Sequence, residues 1–278
     1  MDSVESRSLG FVRGLLAAAI ALAIGAAAPA DAACDGASGP TGTIELKIGA
    51  ATRTFVVRVP QAVDVRKPAP IVFLFHPFGM NAQYMQGRAP MPRVWPEAIA
   101  VYPQGMPRTG AGGLGFQPAW QTESGGMDNR DLVFFDQMLE WMRANHCVDD
   151  SRVFVMGYSN GARLSSLLAC ERAAVIAGVA IASGSLNCEP PASKPIILNH
   201  GLHDPTIPYA RAVEASRTWA SRNGCAAPPK TGELGCFAAE SCSAAPVTLC
   251  TYDGGHEYHD PFTRAVADFL KNTMGLHR

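Results

Sequence analysis

The residues most capable of chemistry in this chain surround a serine. Residues 157–161 match the pattern G-x-S-x-G with Ser159 at the centre; a strand pattern at residues 152–156 precedes them and a helical pattern follows. At so sharp a strand-to-helix turn the serine hydroxyl is exposed, and the glycines remove side chains that would collide with neighbouring backbone. We predict that Ser159 is a nucleophile for acyl transfer; the alternative is an ordinary glycine-rich turn.

A serine hydroxyl is a weak nucleophile until a neutral imidazole takes its proton and a carboxylate orients that imidazole. In this arrangement the chain order is serine, acid, histidine. His256 follows two glycines after the apolar segment 247–252, which indicates a flexible loop at the carboxyl end of a strand. We predict His256 as the base and keep His259 as its competitor. The other histidines after Ser159 come too early or lie in the tail: His200, His203 and His277.

Asp204 is the acid that we expect to orient the base. It follows the apolar segment 195–199 and begins a turn before a helical pattern, again at the carboxyl end of a strand. Its alternative role is to cap that helix. Its position in the chain between Ser159 and His256 favours the catalytic role.

Acyl transfer also needs N–H donors where the carbonyl oxygen becomes an anion, each worth about 3 kcal/mol. We assign one donor to the backbone of Asn160. The second usually comes from the loop after an early strand, which here follows the apolar segment 71–75. Because Pro77 has no N–H, Phe78 is the predicted second donor, and His76 is expected to brace the loop.

Apolar patterns indicate the sheet that would position these residues. Segments 43–48 and 53–59 alternate polar and apolar residues around Gly49, which is typical of two antiparallel edge strands. Four later segments are continuously apolar, as strands covered on both faces are. They are residues 71–75, 98–101, 153–156 and 196–198.

Helical periodicity separates or follows these strands. It covers residues 132–142, 162–169, 210–221 and 262–274. Asp128 and Asn129 are candidate caps of the first of these helices. The alternation predicts a mostly parallel, doubly wound sheet with an antiparallel N-terminal edge and its site at the strands' carboxyl ends. Together with the G-x-S-x-G turn between a strand and a helix, this arrangement is typical of an α/β-hydrolase fold. Residues 105–126 and 224–245 lack periodicity, so we predict a long loop over the active edge and a second irregular region.

Residues 1–32 are predicted to be an export signal. Arg7 and Arg13 precede an apolar stretch at residues 15–28, and residues 30–32 are small enough for cleavage. That stretch is shorter than the about 20 residues that span a bilayer, so a membrane anchor is the weaker alternative; a lipoprotein attached through Cys34 is another. The mature chain, residues 33–278, is then a single secreted or periplasmic domain without a membrane span.

Composition narrows the partners. The formal net charge is −1 with basic residues scattered, which argues against nucleic acid, and 47% hydrophobic residues can form one large core. Eight cysteines in an exported chain predict disulfides rather than a metal site, because Cys225, Cys236, Cys242 and Cys250 contain no C-x-x-C pair. We expect a neutral or weakly charged small molecule or polymer as partner, with no metal and no cofactor.

From about residue 70 onward the chain resembles the exported α/β-hydrolase esterases that include feruloyl esterases and polyhydroxybutyrate depolymerases. The likeness is carried by HPFG at residues 76–79, VYPQG at 101–105, RVFVMGYSNG at 152–161, HGLHDPTIPY at 200–209 and GGH at 254–256. The resemblance implies the same triad of Ser159, Asp204 and His256. It also implies a disulfide between Cys225 and Cys242 and leaves Cys236 and Cys250 as candidates for a further bridge.

The chain departs from this family in the walls of the site. The family usually has glycine at Pro77, and commonly Thr-Trp-Pro where residues 257–259 read Glu-Tyr-His. It commonly places a tryptophan near Trp120 beside the acyl pocket, so Trp120 and Tyr158 are candidate pocket residues. A flat aromatic ring could stack on a feruloyl ring; alternatively, Trp120 pins its loop to the core.

The expected activity is that of a serine carboxylic ester hydrolase that works through an acyl-enzyme on Ser159, with feruloyl (hydroxycinnamoyl) esters as the leading substrates. Polyhydroxybutyrate depolymerisation and acetyl-xylan-type ester cleavage are the alternatives within this class. The substrate would be a small-molecule or polymeric ester, such as one on plant cell-wall polysaccharide or a polyester. From another class, the alternative is a secreted binding protein that kept the fold and lost catalysis.

Overall fold

A nine-stranded sheet organises the chain in a computed structural model, which describes residues 34–110 and 115–275. The predicted export signal at residues 1–32 lies outside the described residues. No helix within the two described ranges is both long enough and apolar enough to cross a membrane.

The elements follow one another in the alternating order that the sequence predicts. The strands are β1 (Gly42–Ile48), β2 (Ala51–Arg58), β3 (Ala69–Phe75), β4 (Ile99–Pro103), β5 (Met106–Thr109), β6 (Phe116–Ala119), β7 (Val148–Tyr158), β8 (Gly178–Ala182), β9 (Ile196–Gly201), β10 (Gly235–Ala238) and β11 (Val247–Tyr252). The helices are α1 (Ala82–Arg88), α2 (Met91–Val94), α3 (Arg130–Asn145), α4 (Asn160–Glu171), α5 (Ala210–Arg222) and α6 (Phe262–Gly275).

The main sheet has the strand order β1-β2-β4-β3-β7-β8-β9-β11-β10. The six strands from β4 to β11 run parallel, whereas β1 and β2 pair antiparallel with each other and β2 pairs antiparallel with β4. The prediction of a mostly parallel sheet with an antiparallel N-terminal edge is thus confirmed. The opposite edge is also antiparallel, through β10.

Side chains on the two faces of the sheet belong to two separate cores. In β3, Ile71 and Phe73 pack in one core with α3, α4 and α5, while Val72 and Leu74 pack in the other with α1, α2 and α6. Every residue of β3 is buried. The continuous apolar run therefore reflects helices on both faces, as a doubly wound sheet requires.

Two regions predicted to be irregular contain short strands. β5 and β6 form a hairpin within residues 105–126, and β10 lies within residues 224–245. All three strands are four residues long and mostly exposed or half-buried, so they carry little apolar pattern. β8 was not predicted either; it is five residues of mainly glycine and alanine.

The predicted capping of α3 is wrong in its details. Asp128 and Asn129 are both left-handed, with φ of 54° and 55°, and α3 begins at Arg130 without a side-chain cap. In this turn the Asn129 Oδ1 atom faces back along the chain and accepts hydrogen bonds from Gly125 N at 2.8 Å and from Gln121 Nε2 at 3.2 Å. The side chain stabilises the preceding loop instead of the helix.

All eight cysteines are paired in the structure. The pairs are Cys34–Cys147, Cys170–Cys188, Cys225–Cys242 and Cys236–Cys250. The last two disulfides, Cys225–Cys242 and Cys236–Cys250, are the pairs that the family resemblance suggested. The sulfur of Cys34 is bonded to Cys147, so the lipoprotein alternative does not fit. Four disulfides suit a protein of an oxidising compartment.

A buried ion pair joins the N-terminal edge of the sheet to α3. Arg53 Nη2 in β2 lies 2.9 Å from Asp131 Oδ1, and the two side chains are 2% and 0% exposed. The other carboxylate oxygen accepts the backbone N–H of Gln121 at 2.7 Å. Asp131 therefore positions β2, the start of α3 and the segment that follows β6 at once.

We predict that Asp131→Asn destabilises the protein by about 3 kcal/mol or more, because a buried guanidinium then lacks its counter-charge. Urea unfolding measures the change in free energy. The control is Asp64→Asn, which breaks the exposed 3.3 Å pair with Lys67 and should have no measurable effect. Equal stability of the two variants would contradict the structural role of the buried pair.

Candidate active site

Ser159 occupies a strained turn between β7 and α4. Its φ and ψ are 53° and −115°, a combination that few residues other than glycine adopt. Its N–H donates to the carbonyl of Ala182, at the end of β8, over 2.9 Å. The sheet thus holds the turn on one side while the helix begins on the other, and the hydroxyl projects from the carboxyl edge of the sheet.

The glycines beside Ser159 are required by close backbone contacts. A Cβ atom on Gly157 would lie 2.2 Å from the carbonyl of Gly161, and one on Gly161 would lie 2.2 Å from the carbonyl oxygen of Phe75. Both distances are far below any normal contact. The first turn of α4 therefore packs directly on the backbone at the end of β3, as the G-x-S-x-G motif predicts.

The structure brings together the three side chains predicted to form a triad. Ser159 Oγ lies 2.7 Å from His256 Nε2, and His256 Nδ1 lies 2.7 Å from Asp204 Oδ2. The His256 side chain is 17% exposed and the Asp204 side chain is fully buried. With a proton on Nδ1 donated to the carboxylate, Nε2 is left to accept the serine proton.

Asp204 is fixed by its own loop and by His200. Its Oδ1 atom accepts the backbone N–H groups of Thr206 and Ile207, each at 2.8 Å. It does not cap α5, whose N-terminal flanking residue is Tyr209. His200 Nε2 donates to the carbonyl of Ile207 at 2.7 Å and lies 3.2 Å from Asp204 Oδ2. Burial lowers the pKa of His200. No pattern in the sequence indicates this supporting role.

Buried tyrosines hold the loop that carries His256. The Tyr158 hydroxyl donates to the His256 carbonyl at 2.9 Å, and the Tyr252 hydroxyl donates to the carbonyl of Glu257 at 2.8 Å. Burial raises the pKa of both tyrosines, which keeps them as donors. His259, the competing candidate base, stacks on the Tyr252 ring with centroids 4.6 Å apart. It is held against that ring, whereas His256 meets Ser159.

The backbone N–H groups of Phe78 and Asn160 have no hydrogen-bond partner among the described residues. The neighbouring Gly79 N–H is occupied, since it donates to the carbonyl of Pro118 in β6 at 2.8 Å. The two predicted oxyanion donors are therefore both available to a ligand. Asn160 also begins α4, where the helix dipole favours negative charge.

Trp120 connects the parts of the site and is fully buried. Its indole N–H donates to the carbonyl of His76 at 2.8 Å. Its backbone N–H donates to Asn160 Oδ1 at 2.7 Å, and its carbonyl accepts from Asn160 Nδ2 at 3.1 Å. The indole therefore offers no exposed face for stacking on a substrate, and its placement matches the alternative in which it pins the loop. Tyr158, the other pocket candidate, is also buried.

His76 is buried beneath the loop that contains Phe78. Its Nδ1–H donates to the Pro77 carbonyl at 2.8 Å, and its Nε2 accepts the N–H of Gly105 at 2.9 Å. Burial lowers the pKa of His76 to about 4, so the imidazole is neutral at pH 7. The ring braces the loop, as the sequence analysis expects. Within the described ranges, no three His, Cys, Asp or Glu side chains gather in a way that could hold a metal ion.

The comparison with known families agrees with this architecture. Residues 65–227 match the phospholipase/carboxylesterase family, which is more than half of the chain. The chain belongs to this family. It is a carboxylic ester hydrolase on the α/β-hydrolase fold, so the predicted enzyme class and fold are confirmed.

Individual relatives are esterases. Feruloyl esterase C of Emericella nidulans is 30% identical over 220 residues, covering 74% of this chain and 76% of the relative. Feruloyl esterase D of Neurospora crassa is 30% identical over 251 residues, covering 84% and 80%. These matches confirm the resemblance stated from the motifs.

Solved structures show the same fold. An acetyl xylan esterase from Aspergillus awamori superposes with a TM-score of 0.62 at 15% identity, over 83% of this chain and 99% of that one. A ferulic acid esterase from Anaeromyces mucronatus, solved in complex with ferulic acid, gives a TM-score of 0.56 at 15% identity, over 86% and 92%.

We predict that two glycine-to-alanine changes have opposite effects on the free energy of unfolding. Gly161→Ala should lower the free energy of unfolding by about 1–3 kcal/mol, because the new methyl group collides with the Phe75 carbonyl. Gly87→Ala, inside α1 with nothing within 4 Å, should raise it by roughly 0.5–1 kcal/mol. Chemical denaturation of both variants measures the pair. A Gly161→Ala protein as stable as Gly87→Ala would disprove the close approach at the elbow.

We also predict an acid-dependent loss of stability through His76. Its folded pKa of about 4 lies below its unfolded value near 6.5, so the unfolded chain binds the proton first as pH falls. The contribution of neutral His76 to the free energy of unfolding is fully present above pH 6.5 and is lost as pH falls from 6.5 to 4. Between pH 7 and 5 this amounts to roughly 2 kcal/mol.

Denaturation curves at several pH values compare the wild type with His76→Asn. The variant should lose less stability than the wild type over this range. His203→Asn, at an exposed histidine, controls for the loss of a histidine as such. Parallel curves for wild type and His76→Asn would refute the assignment.

Proposed function

We propose that the chain is an exported serine esterase that cleaves carboxylic esters through an acyl-enzyme on Ser159. The observation that carries this proposal is the continuous hydrogen-bond line from Ser159 Oγ to His256 to Asp204, with both distances at 2.7 Å. The line begins at a strained turn on the carboxyl edge of the sheet. Four disulfides and the export signal predicted at residues 1–32 support a location outside the cytoplasm.

Each residue has a defined step in this mechanism. Ser159 Oγ attacks the ester carbonyl while His256 Nε2 takes its proton, and Asp204 stabilises the imidazolium that forms. The N–H groups of Phe78 and Asn160 bind the oxyanion. His256 then gives the proton to the leaving alcohol, and the acyl group stays on Ser159.

Deacylation repeats the same steps with water. His256 removes a proton from water, which attacks the acyl carbon, and the oxyanion is again held by the two backbone donors. Collapse of this second intermediate returns the proton from His256 to Ser159 Oγ and releases the acid. The cycle consumes one ester and one water and yields one alcohol and one carboxylic acid.

Hydroxycinnamoyl esters, such as ferulates on plant cell-wall polysaccharide, are the proposed substrates. The support is the 30% identity to two feruloyl esterases over most of both chains. Because Trp120 is buried, an aromatic acyl group would have to contact other walls of the site, and Phe78 is a half-buried aromatic residue of the oxyanion loop that could serve.

We predict that Ser159→Ala and His256→Ala each lower kcat by at least about 10³-fold, since loss of either member removes the activated nucleophile. Hydrolysis of methyl ferulate and p-nitrophenyl acetate by the purified mature protein measures this. His259→Ala is the matched control: it removes the competing histidine and should keep most of the activity. Each variant must keep the far-UV circular dichroism spectrum of the wild type and a melting temperature within a few degrees of the wild-type value.

The outcomes separate the alternatives. Activity retained in Ser159→Ala would overturn the proposed mechanism, and a larger loss in His259→Ala than in His256→Ala would reassign the base. A higher kcat/KM for methyl ferulate than for methyl acetate, which has the same leaving alcohol, supports hydroxycinnamoyl specificity, and the reverse argues against it. A folded wild type with no activity on either ester would favour a non-catalytic binding protein on the same fold.

A further inference from the structure

We propose that Arg163 and Arg108 form a carboxylate-binding site beside Ser159, so that the enzyme prefers esters that carry a free carboxylate in addition to the ester bond. The inference rests on the proposed function, because it concerns the substrate of that same site. Arg163 and Arg108 are the two residues that would select this substrate class.

Both arginines lie close to the nucleophile elbow. Arg163 is in the first turn of α4, and its N–H donates to the carbonyl of Ser159 at 3.1 Å. Residues four apart lie on the same face of a helix. Arg108 in β5 donates from Nη1 to the Trp120 carbonyl at 3.1 Å, and Asn160 Nδ2 donates to that same oxygen at 3.1 Å. Arg108 therefore lies beside the residue that follows Ser159, and Arg163 is close enough to Arg108 for the two positive charges to repel each other.

The Arg163 guanidinium has no partner in the part of the chain that the structure describes. It is half-buried, it makes no ion pair or side-chain hydrogen bond, and its Nε atom is shielded from solvent without an acceptor. Burial lowers the pKa of Arg163, and the positive charge of Arg108 acts in the same direction. Glu123 opposes these effects only from a distance, since it forms no ion pair with Arg163 in the described structure.

This situation is specific to Arg163. Each of the other buried or half-buried arginines of the described chain donates at least one side-chain hydrogen bond. Arg163 is also placed in the first turn of a helix, where a cation is unfavourable because the helix dipole is positive there. Neither packing against the described residues nor helix electrostatics explains its presence, so we expect a ligand to supply its partner.

A carboxylate is the chemical group that fits this environment. A guanidinium presents a planar fork of N–H donors that matches two carboxylate oxygens, and partial desolvation strengthens such a pair. Arg108 has donors besides the one used on Trp120, and its own Nε also lacks a partner among the described residues. A substrate carboxylate between the two arginines would supply a counter-charge in direct contact with Arg163, which no described residue does. A sugar-acid unit on the alcohol side or a dicarboxylic half-ester on the acyl side would both offer one.

Two matched ester pairs test the proposal and locate the carboxylate. On the alcohol side, 4-carboxyphenyl acetate is compared with 4-carbamoylphenyl acetate. On the acyl side, monomethyl succinate is compared with methyl succinamate, whose poor leaving group keeps both esters stable in water. We expect KM to be at least ~10-fold lower for the carboxylate than for the amide in one of the pairs. That pair identifies the side of the ester that faces the arginines.

Variants of Arg163 assign the preference. Arg163→Met should bring the KM ratio of that pair close to one, and Arg163→Lys should keep part of it because a charge remains without the planar fork. Arg217→Met is the matched control, since Arg217 is an exposed arginine of α5 with no partner in the described structure; it should keep the full ratio. Melting temperatures verify that every variant is folded.

Binding measured without catalysis separates this inference from the proposed function. Calorimetry with Ser159→Ala compares the same four esters intact, and Ser159→Ala/Arg163→Met repeats the comparison. Tighter binding of a carboxylate ester that disappears in the double variant supports the site even if the wild type hydrolyses none of the esters. Equal binding of carboxylate and amide, or a preference that survives in the double variant, would overturn it.

Discussion

The close approach of two backbone segments is the constraint on which the site depends. α4 starts directly against the end of β3, so the neighbouring backbone leaves no room for a side chain at the positions of Gly157 and Gly161. This contact forces Ser159 into a conformation with φ of 53° and turns its hydroxyl toward the carboxyl edge of the sheet. The strained conformation persists because β3 and β7 are packed between helices on both faces of the sheet, so their backbones cannot shift to relieve it.

A second layer of contacts makes the elbow and its surroundings one unit. Trp120 donates hydrogen bonds both to Asn160, beside Ser159, and to the carbonyl of His76, beneath the loop that contains Phe78. His76 in turn accepts the N–H of Gly105, where the β5–β6 excursion begins. These groups are buried, so a broken bond would leave an unpaired polar atom in the core. The same burial that makes His76 acid-sensitive therefore gives the loop a single, defined position.

The strand and helix order and the three side chains that meet at Ser159 could be predicted from the sequence alone, because local residue patterns determine both. Continuous apolar runs encode strands covered on two faces, and the G-x-S-x-G motif encodes the steric demands of the elbow. The lack of an N–H in Pro77 was enough to select Phe78. The role of Trp120 was left open because it depends on pairing with Asn160 across 40 residues, which no local pattern contains. The roles of His200 and Tyr252 were hidden for the same reason, and β10 was missed because its exposed residues have no apolar pattern.

Departures from local preference gather around the same edge of the sheet. Ser159 is strained, Met127, Asp128 and Asn129 form a left-handed run, and Arg163 places at a helix start a cation that no described residue pairs with. The left-handed run is held by Gln121, next to Trp120 in the chain, and Gln121 is bonded to the buried Asp131. Each departure costs stability, and such costs are tolerated where surrounding structure enforces them and function uses them. For Ser159 the proposed use is attack on an ester; for Arg163 a bound carboxylate would convert an unfavourable charge into a means of selecting the substrate.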